Sequence, residues 1–232
     1  AGFDAIIVEG KASSPVYLWI DDQKVELRDA SRLWGLEIRK SQETIQTELD
    51  NKKVKLAQIG PGGERLVRYA SVINDMNHVA GRCGMGAVMG SKNLKAVAVK
   101  GSTRVHVSKP KRLGNLAKWM AQNVQNLAYN LHTFGTGDGM DAMEATGNLP
   151  VRNFRDGDFP EVDKIDARVV KEEVGVSMGT CFACAIACKK EVKVEAPWTV
   201  EPEYGGPEYE TLASLGSNCG VSDIKAVCKA NE

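Results

Sequence analysis

Three cysteines within eight residues constrain this chain more than any other feature: Cys181-Phe-Ala-Cys184-Ala-Ile-Ala-Cys188. Spacings of three and four predict all three sulfurs on one side of a helical turn. Three converging thiolates suit a soft, thiophilic centre. The intervening residues are small or apolar, which lets a bulky group sit close and dry. A [4Fe-4S] cluster takes four thiolates, so a further ligand has to come from elsewhere. A structural zinc site or a group of free thiols is the plain alternative, although zinc sites arrive more often as two separated C-x2-C pairs. The radical-SAM spacing is C-x3-C-x2-C, the reverse order, and does not apply. The other cysteines, Cys83, Cys219 and Cys228, are scattered. A small secreted scaffold would be shorter and would spread its cysteines; a tight cluster in 232 residues reads as metal binding in a reducing cytoplasm.

The totals exclude several classes. Apolar residues make up 43% and charged residues 26%, ordinary for one or two globular domains with a sizeable core. Thirty basic residues balance thirty acidic ones, so nothing favours nucleic acid or an anionic membrane as partner. No apolar run approaches the ~20 residues of a membrane span, and the start has no signal-peptide pattern. The chain opens without Met on a strand-like AGFDAIIVEG and closes on SDIKAVCKANE, a helix cut partway, so it reads as an internal fragment.

The expected architecture is α+β. Asp4–Glu9 is an apolar run of buried-strand type. Val16, Leu18 and Ile20 alternate, Asp21-Asp22-Gln23 turns the chain, and Val25 and Leu27 alternate again, which predicts a hairpin. Ser41 is placed to cap a short helix with Ile45 and Leu49 on one face. Further strands are expected at Val54–Ile59, Val67–Ile73 and Leu94–Val99, with Gly60-Pro61-Gly62-Gly63 as a turn. Near Gly101 the composition shifts. Ser108 can cap a helix with Pro110 in its first turn. Its stripe of Leu113, Leu116, Ala117, Met120, Val124 and Leu127 reads as core. A Gly/Asp-rich loop follows, then helices over 166–174 and 222–232. His106 and His132 read as solvated or loop histidines.

The second strong feature is glycine-rich: Asn77-His-Val-Ala-Gly81-Arg82-Cys83-Gly84-Met-Gly86-Ala-Val-Met-Gly90-Ser-Lys92. Glycines let backbone approach a ligand and present N–H groups to anionic oxygens. Arg82 adds a fixed fork of donors suited to phosphate. A Rossmann G-x-G-x-x-G from Gly84 fails at Met89, and a P-loop fails because Gly90-Ser91-Lys92 has the wrong order. The competing reading is a turn that packs a helix against a sheet.

Taken together, these motifs resemble the aldehyde ferredoxin oxidoreductase family. AGRCGMGAVMGSKNLKAV carries the resemblance, with AGFDAIIVEGKA, IGPGGE, GNLPVRNF, CFACAIAC and GPEYETLASLGSNCG in order along the whole chain. The resemblance implies a tungsten (or molybdenum) bis-pterin, its phosphates meeting at magnesium, and a [4Fe-4S] cluster. It implies that residues 1–101 are the C-terminal part of a β-rich pterin-binding domain and residues 102–232 the N-terminal part of a helical iron–sulfur domain. His78, Val79, Gly81 and Arg82 match pterin contacts, although some members carry Arg at the position of His78. Cys181, Cys184 and Cys188 match cluster ligands, with the fourth beyond Glu232 and Cys219 a half-buried helix-end thiol. Glu210 matches a glutamate near the metal with an acid–base role; its structural alternative is a first-turn carboxylate complementing the helix dipole.

The implied reaction is aldehyde plus water to carboxylate, with electrons leaving through the cluster to a ferredoxin or an iron–sulfur partner subunit. A homodimer or heteromer in the cytoplasm is expected, the fragment alone being inactive. Within the family, the active-site subunit of a tungsten benzoyl-CoA reductase is the rival for an acyl substrate. Outside it stand an electron-transfer protein without catalytic metal and a structural zinc protein. A molybdopterin enzyme of the formate dehydrogenase type also pairs C-x2-C-x3-C with a cysteine about as far on as Cys219, but near its N-terminus; here 180 residues precede the run.

Overall fold

The structure, a computed structural model, describes residues 2–232 and divides into two compact units, residues 1–108 and 109–232. The chain is α+β. No helix among the described residues is long and apolar enough to cross a membrane.

Unit 1 is built on β1 (Val16–Asp21) and β2 (Lys24–Asp29), the expected hairpin, with Asp21 opposite Lys24 and Asp22 left-handed in the turn. Then come α1 (Ile38–Glu48), β3 (Lys55–Gln58), α2 (Pro61–Glu64), β4 (Val72–Asn74), β5 (His78–Ala80), α3 (Met85–Ser91) and β6 (Leu94–Lys100). The sheet order is β2-β1-β6-β3-β4-β5, and only the β1–β6 pair is parallel. Alternation along β1 sorts its side chains to two faces. Tyr17 and Trp19 join Ile45 of α1, Leu33, Val54, Leu56, Ala96 and Ala98; Leu18 and Ile20 join Leu94, with Met89 of α3 against them. Tyr17 is fully buried and donates to Glu48 Oε1 at 2.7 Å; burial and that carboxylate push its phenol up to about 12.

Four local expectations fail here. Asp4–Glu9 forms no strand and lies exposed, Ile7 by 87%. Glu37, not Ser41, caps α1, its carboxylate accepting from the Arg39 and Lys40 amides, while Ser41 is buried inside the helix. Gly60–Gly63 is no simple turn: Pro61 sits at the first position of α2 after the Gly60 cap. The strand expected over 67–73 shrinks to β4, because Leu66 is left-handed and the Val67 amide turns back to Gly62 O.

Unit 2 runs through α4 (Pro110–Leu127), α5 (Tyr129–Phe134), α6 (Met140–Ala145), α7 (Ala167–Val169), β7 (Gly175–Gly179), β8 (Lys189–Val192), α8 (Tyr209–Thr211) and α9 (Ile224–Asn231). π-helical turns extend α7 over Val170–Val174 and α8 over Leu212–Gly216. β7 and β8 pair antiparallel. The core gathers Met140, Leu149, Phe159, Ile165, Val192, Leu212 and Val227 with their neighbours. The Gly/Asp-rich stretch is not all loop, since α6 starts inside it after left-handed Gly139. Asp166 caps α7 through Arg168 N.

α4 corrects the sequence reading twice. Lys109 occupies its cap position with no side-chain bond, so Ser108 is not the cap. The apolar stripe is not core among the described residues: only Val124 is buried, and Leu113, Leu116 and Leu127 stay more than half exposed. Periodicity shows that a helix has an apolar side but not what covers it.

Candidate functional site

In unit 1 the glycine-rich segment splits into two parts with different jobs. From Gly84 onward the glycines serve packing. A Cβ on Gly84 would lie 1.9 Å from Arg68 O, one on Gly86 2.5 Å from Ser71 O, and one on Gly90 2.0 Å from Gly63 O. α3 therefore touches α2 and the 68–71 backbone without any side chain between. The packing alternative raised by the sequence describes residues 84–90.

Residues 78–82 are different. β5 is the last strand of the sheet, so one row of its backbone N–H and C=O groups faces outward. His78 is half-buried, Val79 is 53% exposed, and Gly81 and Arg82 are exposed. A Cβ on Gly81 would meet nothing closer than Val79 at 3.5 Å. Cys83 is exposed and left-handed, turning the chain from this ledge into α3. An open strand edge, a glycine and an arginine offer the donors that a planar, phosphate-bearing heterocycle needs, so these residues fit a pterin.

Unit 1 also holds a buried ion pair that sequence reasoning missed. Lys95 Nζ sits 2.5 Å from Glu64 Oε1 and donates to Leu36 O at 2.9 Å; Glu64 Oε2 accepts from Gly35 N at 2.7 Å. Both side chains are buried, 0% and 4% exposed. Burial pulls the Lys95 ammonium below its ordinary range, and Glu64 pulls it back. The signal available was one lysine inside the apolar run LKAVAVK.

In unit 2 the cysteine triplet is not a helical turn. Residues 181–188 make two successive reverse turns joining β7 to β8, with left-handed Ala183 and Ala187 ahead of Cys184 and Cys188. Alanine is the smallest side chain that leaves these conformations attainable without glycine. The Thr180 hydroxyl lies 2.8 and 2.7 Å from the Cys181 and Cys184 carbonyls and fixes the first turn. Cys181 and Cys184 are exposed, Cys188 is half-buried, and all three are free thiols. Among the described residues no three or more His, Cys, Asp or Glu side chains converge as a metal cage. The donor set still fits a thiophilic centre: three soft ligands on one loop, none committed to a disulfide or to the core. Burial, then the Glu208 charge, push the Cys188 thiol up.

The loop is clamped by the end of α5. His132 Nδ1 lies 2.5 Å from Ile186 O; the partner being a carbonyl, that nitrogen carries the proton. This corrects the reading of His132 as a solvated or loop residue. Gly135, at φ +74°, is so close that a Cβ would lie 2.7 Å from both Cys188 O and Lys190 Nζ. Lys190 is buried and donates to Thr136 O at 2.8 Å and to Glu208 Oε2 at 3.3 Å. Glu208 occupies the cap position of α8 without a side-chain capping bond; its carboxylate accepts from the Thr136 hydroxyl and meets Lys189 at 3.5 Å. None of this network was legible beforehand.

Three further candidates complete the unit. Glu210 is exposed in the first turn of α8. Cys219 is exposed rather than half-buried, its thiol 3.2 Å from Ser214 O. Cys228 lies in the core, where burial pushes its thiol up to about 12.

Comparison with known proteins places this arrangement. A family model described as "Aldehyde ferredoxin oxidoreductase, N-terminal domain" matches residues 1–101, and one described as "Aldehyde ferredoxin oxidoreductase, domains 2 & 3" matches residues 115–232. The tungsten-containing aldehyde ferredoxin oxidoreductase of Pyrococcus furiosus is 39% identical over 234 residues, covering all of this chain and 38% of that protein. The WOR-like subunit of an aliphatic sulfonate oxidoreductase from the same organism is 32% identical, over 98% of this chain and 38% of its own length. Among solved structures, a chain of the BamBC active site complex of benzoyl coenzyme A reductase, bound to 1,5-dienoyl-CoA, superposes with a TM-score of 0.73 at 28% identity, over 97% of this chain and 36% of that one. This chain thus spans 38% of the length of the curated relatives it matches. With both units matched in order along nearly every residue, the chain belongs to the aldehyde ferredoxin oxidoreductase family.

Proposed function

We propose that this chain supplies part of the pterin site and three cluster ligands of a tungsten oxidoreductase that converts aldehydes to carboxylic acids. The observation that supports this most is the coexistence of an open ledge at 78–82 with three free thiols on one loop, in a chain whose relatives are tungsten enzymes. A tungsten (or molybdenum) bis-pterin, with magnesium at its phosphates, would supply two-electron chemistry at the substrate. His78, Val79, Gly81 and Arg82 hold and orient the pterin through backbone groups and the guanidinium. Cys181, Cys184 and Cys188 hold a [4Fe-4S] cluster, with one ligand from outside this set. Electrons pass to a ferredoxin or an iron–sulfur partner subunit. Glu210 takes and returns protons at the substrate.

The test is metal analysis of the full-length protein purified without oxygen, followed by aldehyde-dependent reduction of a low-potential dye. About four irons with tungsten or molybdenum, and dye reduction, are expected. Zinc alone, or iron without either metal after metal-replete growth, overturns the reading. In the same preparation Cys181, Cys184 and Cys188 should alkylate only after iron is stripped, while buried Cys228 resists in both states. Equal labelling before and after stripping removes the ligand assignment. Glu210→Gln should lower kcat by about 10²-fold or more with metal content intact; unchanged turnover would return Glu210 to its role as a first-turn carboxylate.

The fold similarity to the benzoyl-CoA reductase complex supports a second reading, reduction of an aromatic acyl-CoA by the same site. Turnover with acyl-CoA and a low-potential donor, and none with aldehydes, would select it.

A further inference from the structure

The Lys190–Glu208 pair is an unusual thing to place beside a cysteine loop. Lys190 is two residues after Cys188 on β8, and its side chain is 2% exposed. Its ammonium is held by Thr136 O and Glu208 Oε2, and it flanks the same glycine, Gly135, as the Cys188 carbonyl. Glu208 is 26% exposed and is itself held by Thr136 and Lys189. Of the other hairpin charges, partly exposed Lys189 also faces Glu208, at 3.5 Å, whereas Glu191 bonds Ser177 on the exposed side and Lys193 pairs with exposed Glu195. One buried cation, Lys190, is therefore fixed next to the third cysteine, with a partly solvated Glu208–Lys189 pair beside it. A purely structural lysine would serve as well with its charge in water; burying it costs free energy that packing alone does not explain.

We infer that Lys190 is a positioning residue that sets the reduction potential of the cluster held by Cys181, Cys184 and Cys188. The inference rests on the cluster assignment proposed above. Taking up one electron adds one negative charge to such a centre. A buried cation nearby stabilises the reduced form, because charges interact most strongly where water is absent. Glu208 acts with the opposite sign: after burial, its charge already pushes the Cys188 thiol up. Thr136, His132 and Gly135 hold the geometry: a threonine that orders both charges, a histidine that pins the loop at Ile186, and a glycine that lets the strand approach.

The experiment is a redox titration of the full-length, iron-loaded protein followed by electron paramagnetic resonance. Lys190→Met should lower the midpoint by about 59 mV, a tenfold change in the one-electron equilibrium. Glu208→Gln should raise it, and Lys190→Arg should restore the parent value. The opposite signs distinguish a charge effect from loosened packing, which would move both variants the same way or broaden the signal. Iron content unchanged with midpoints unmoved, or moved in one direction by both variants, overturns the inference. Should Lys190→Met lose its iron, Glu208→Gln and Lys190→Arg decide alone: a raised midpoint with a restored one supports it, and any other pair overturns it. A parent protein without iron would overturn the cluster assignment itself, and this inference with it.

Discussion

Gly90→Ala should leave little soluble full-length protein and should melt far below the parent. A Cβ at that position would lie 2.0 Å from Gly63 O and 2.8 Å from Gly63 C. Both are backbone atoms of α2, so no rotamer change relieves the clash; the two helices have to separate. Overpacking costs about 1–3 kcal/mol and occasionally more, and a contact between rigid backbones belongs at the upper end. The separation would also pull Glu64, the last residue of α2, away from Lys95. Gly62→Ala is the control. Its Cβ meets nothing within 4 Å, and removing a glycine from a helical position should be neutral or gain about 0.5–1 kcal/mol. Thermal melting of the two variants at one scan rate checks the pair. If Gly90→Ala melts with the parent, the glycines of α3 are not there for packing.

Removing one partner of the Lys95–Glu64 pair should be nearly as damaging. Lys95→Met leaves the Glu64 carboxylate buried without its cation, and Leu36 O without its donor. Breaking such a pair costs about 3–5 kcal/mol, mostly as the penalty of the stranded charge. The double variant Lys95→Met with Glu64→Gln should recover most of that loss, because the glutamine oxygen can still accept from Gly35 N. Additive losses in the double variant would show that the two side chains do not act as a pair. The pH dependence has a definite sign. Lys95 is held below its ordinary 10.5, so between its depressed value and 10.5 the unfolded chain binds more protons than the folded one. This group therefore makes stability rise with pH across that window, and the rise should vanish in Lys95→Met.

Much of the sheet was legible in the sequence, because alternation and turn residues are local signals. The hairpin of β1 and β2, and strands β3 and β6, lie where period-two patterning puts them. What failed was non-local. Asp4–Glu9 has the composition of a strand, but composition does not say whether a partner strand lies within reach, and the segment stays exposed. The stripe of α4 has the right period for a core helix, yet stays exposed among the described residues. At the glycine-rich segment the sequence offered a ligand loop or a packing turn; the chain uses Gly84, Gly86 and Gly90 for packing and leaves 78–82 open. The cysteine spacing suggested a helix, because spacings of three and four suit one, but two left-handed alanines bend the loop instead. Lys190 and His132 lay outside every motif, and Glu208 lay inside GPEYETLASLGSNCG without being singled out. Their positions follow from tertiary contacts made across 18 to 54 residues of sequence.

The parallel pairing of β1 with β6 has a consequence for how the protein is made. β1 can close with β2 as soon as the hairpin leaves the ribosome, but its other edge waits for β6, with Val16 opposite Leu94. At about 5–20 residues per second, synthesis takes several seconds to deliver that partner. Throughout this interval the newborn chain shows Leu18 and Ile20 beside an open strand edge, before Leu94 arrives to cover them. Such an edge is a template for pairing with other chains. A chaperone that shelters the hairpin over this interval would guard it against aggregation before any cofactor is inserted.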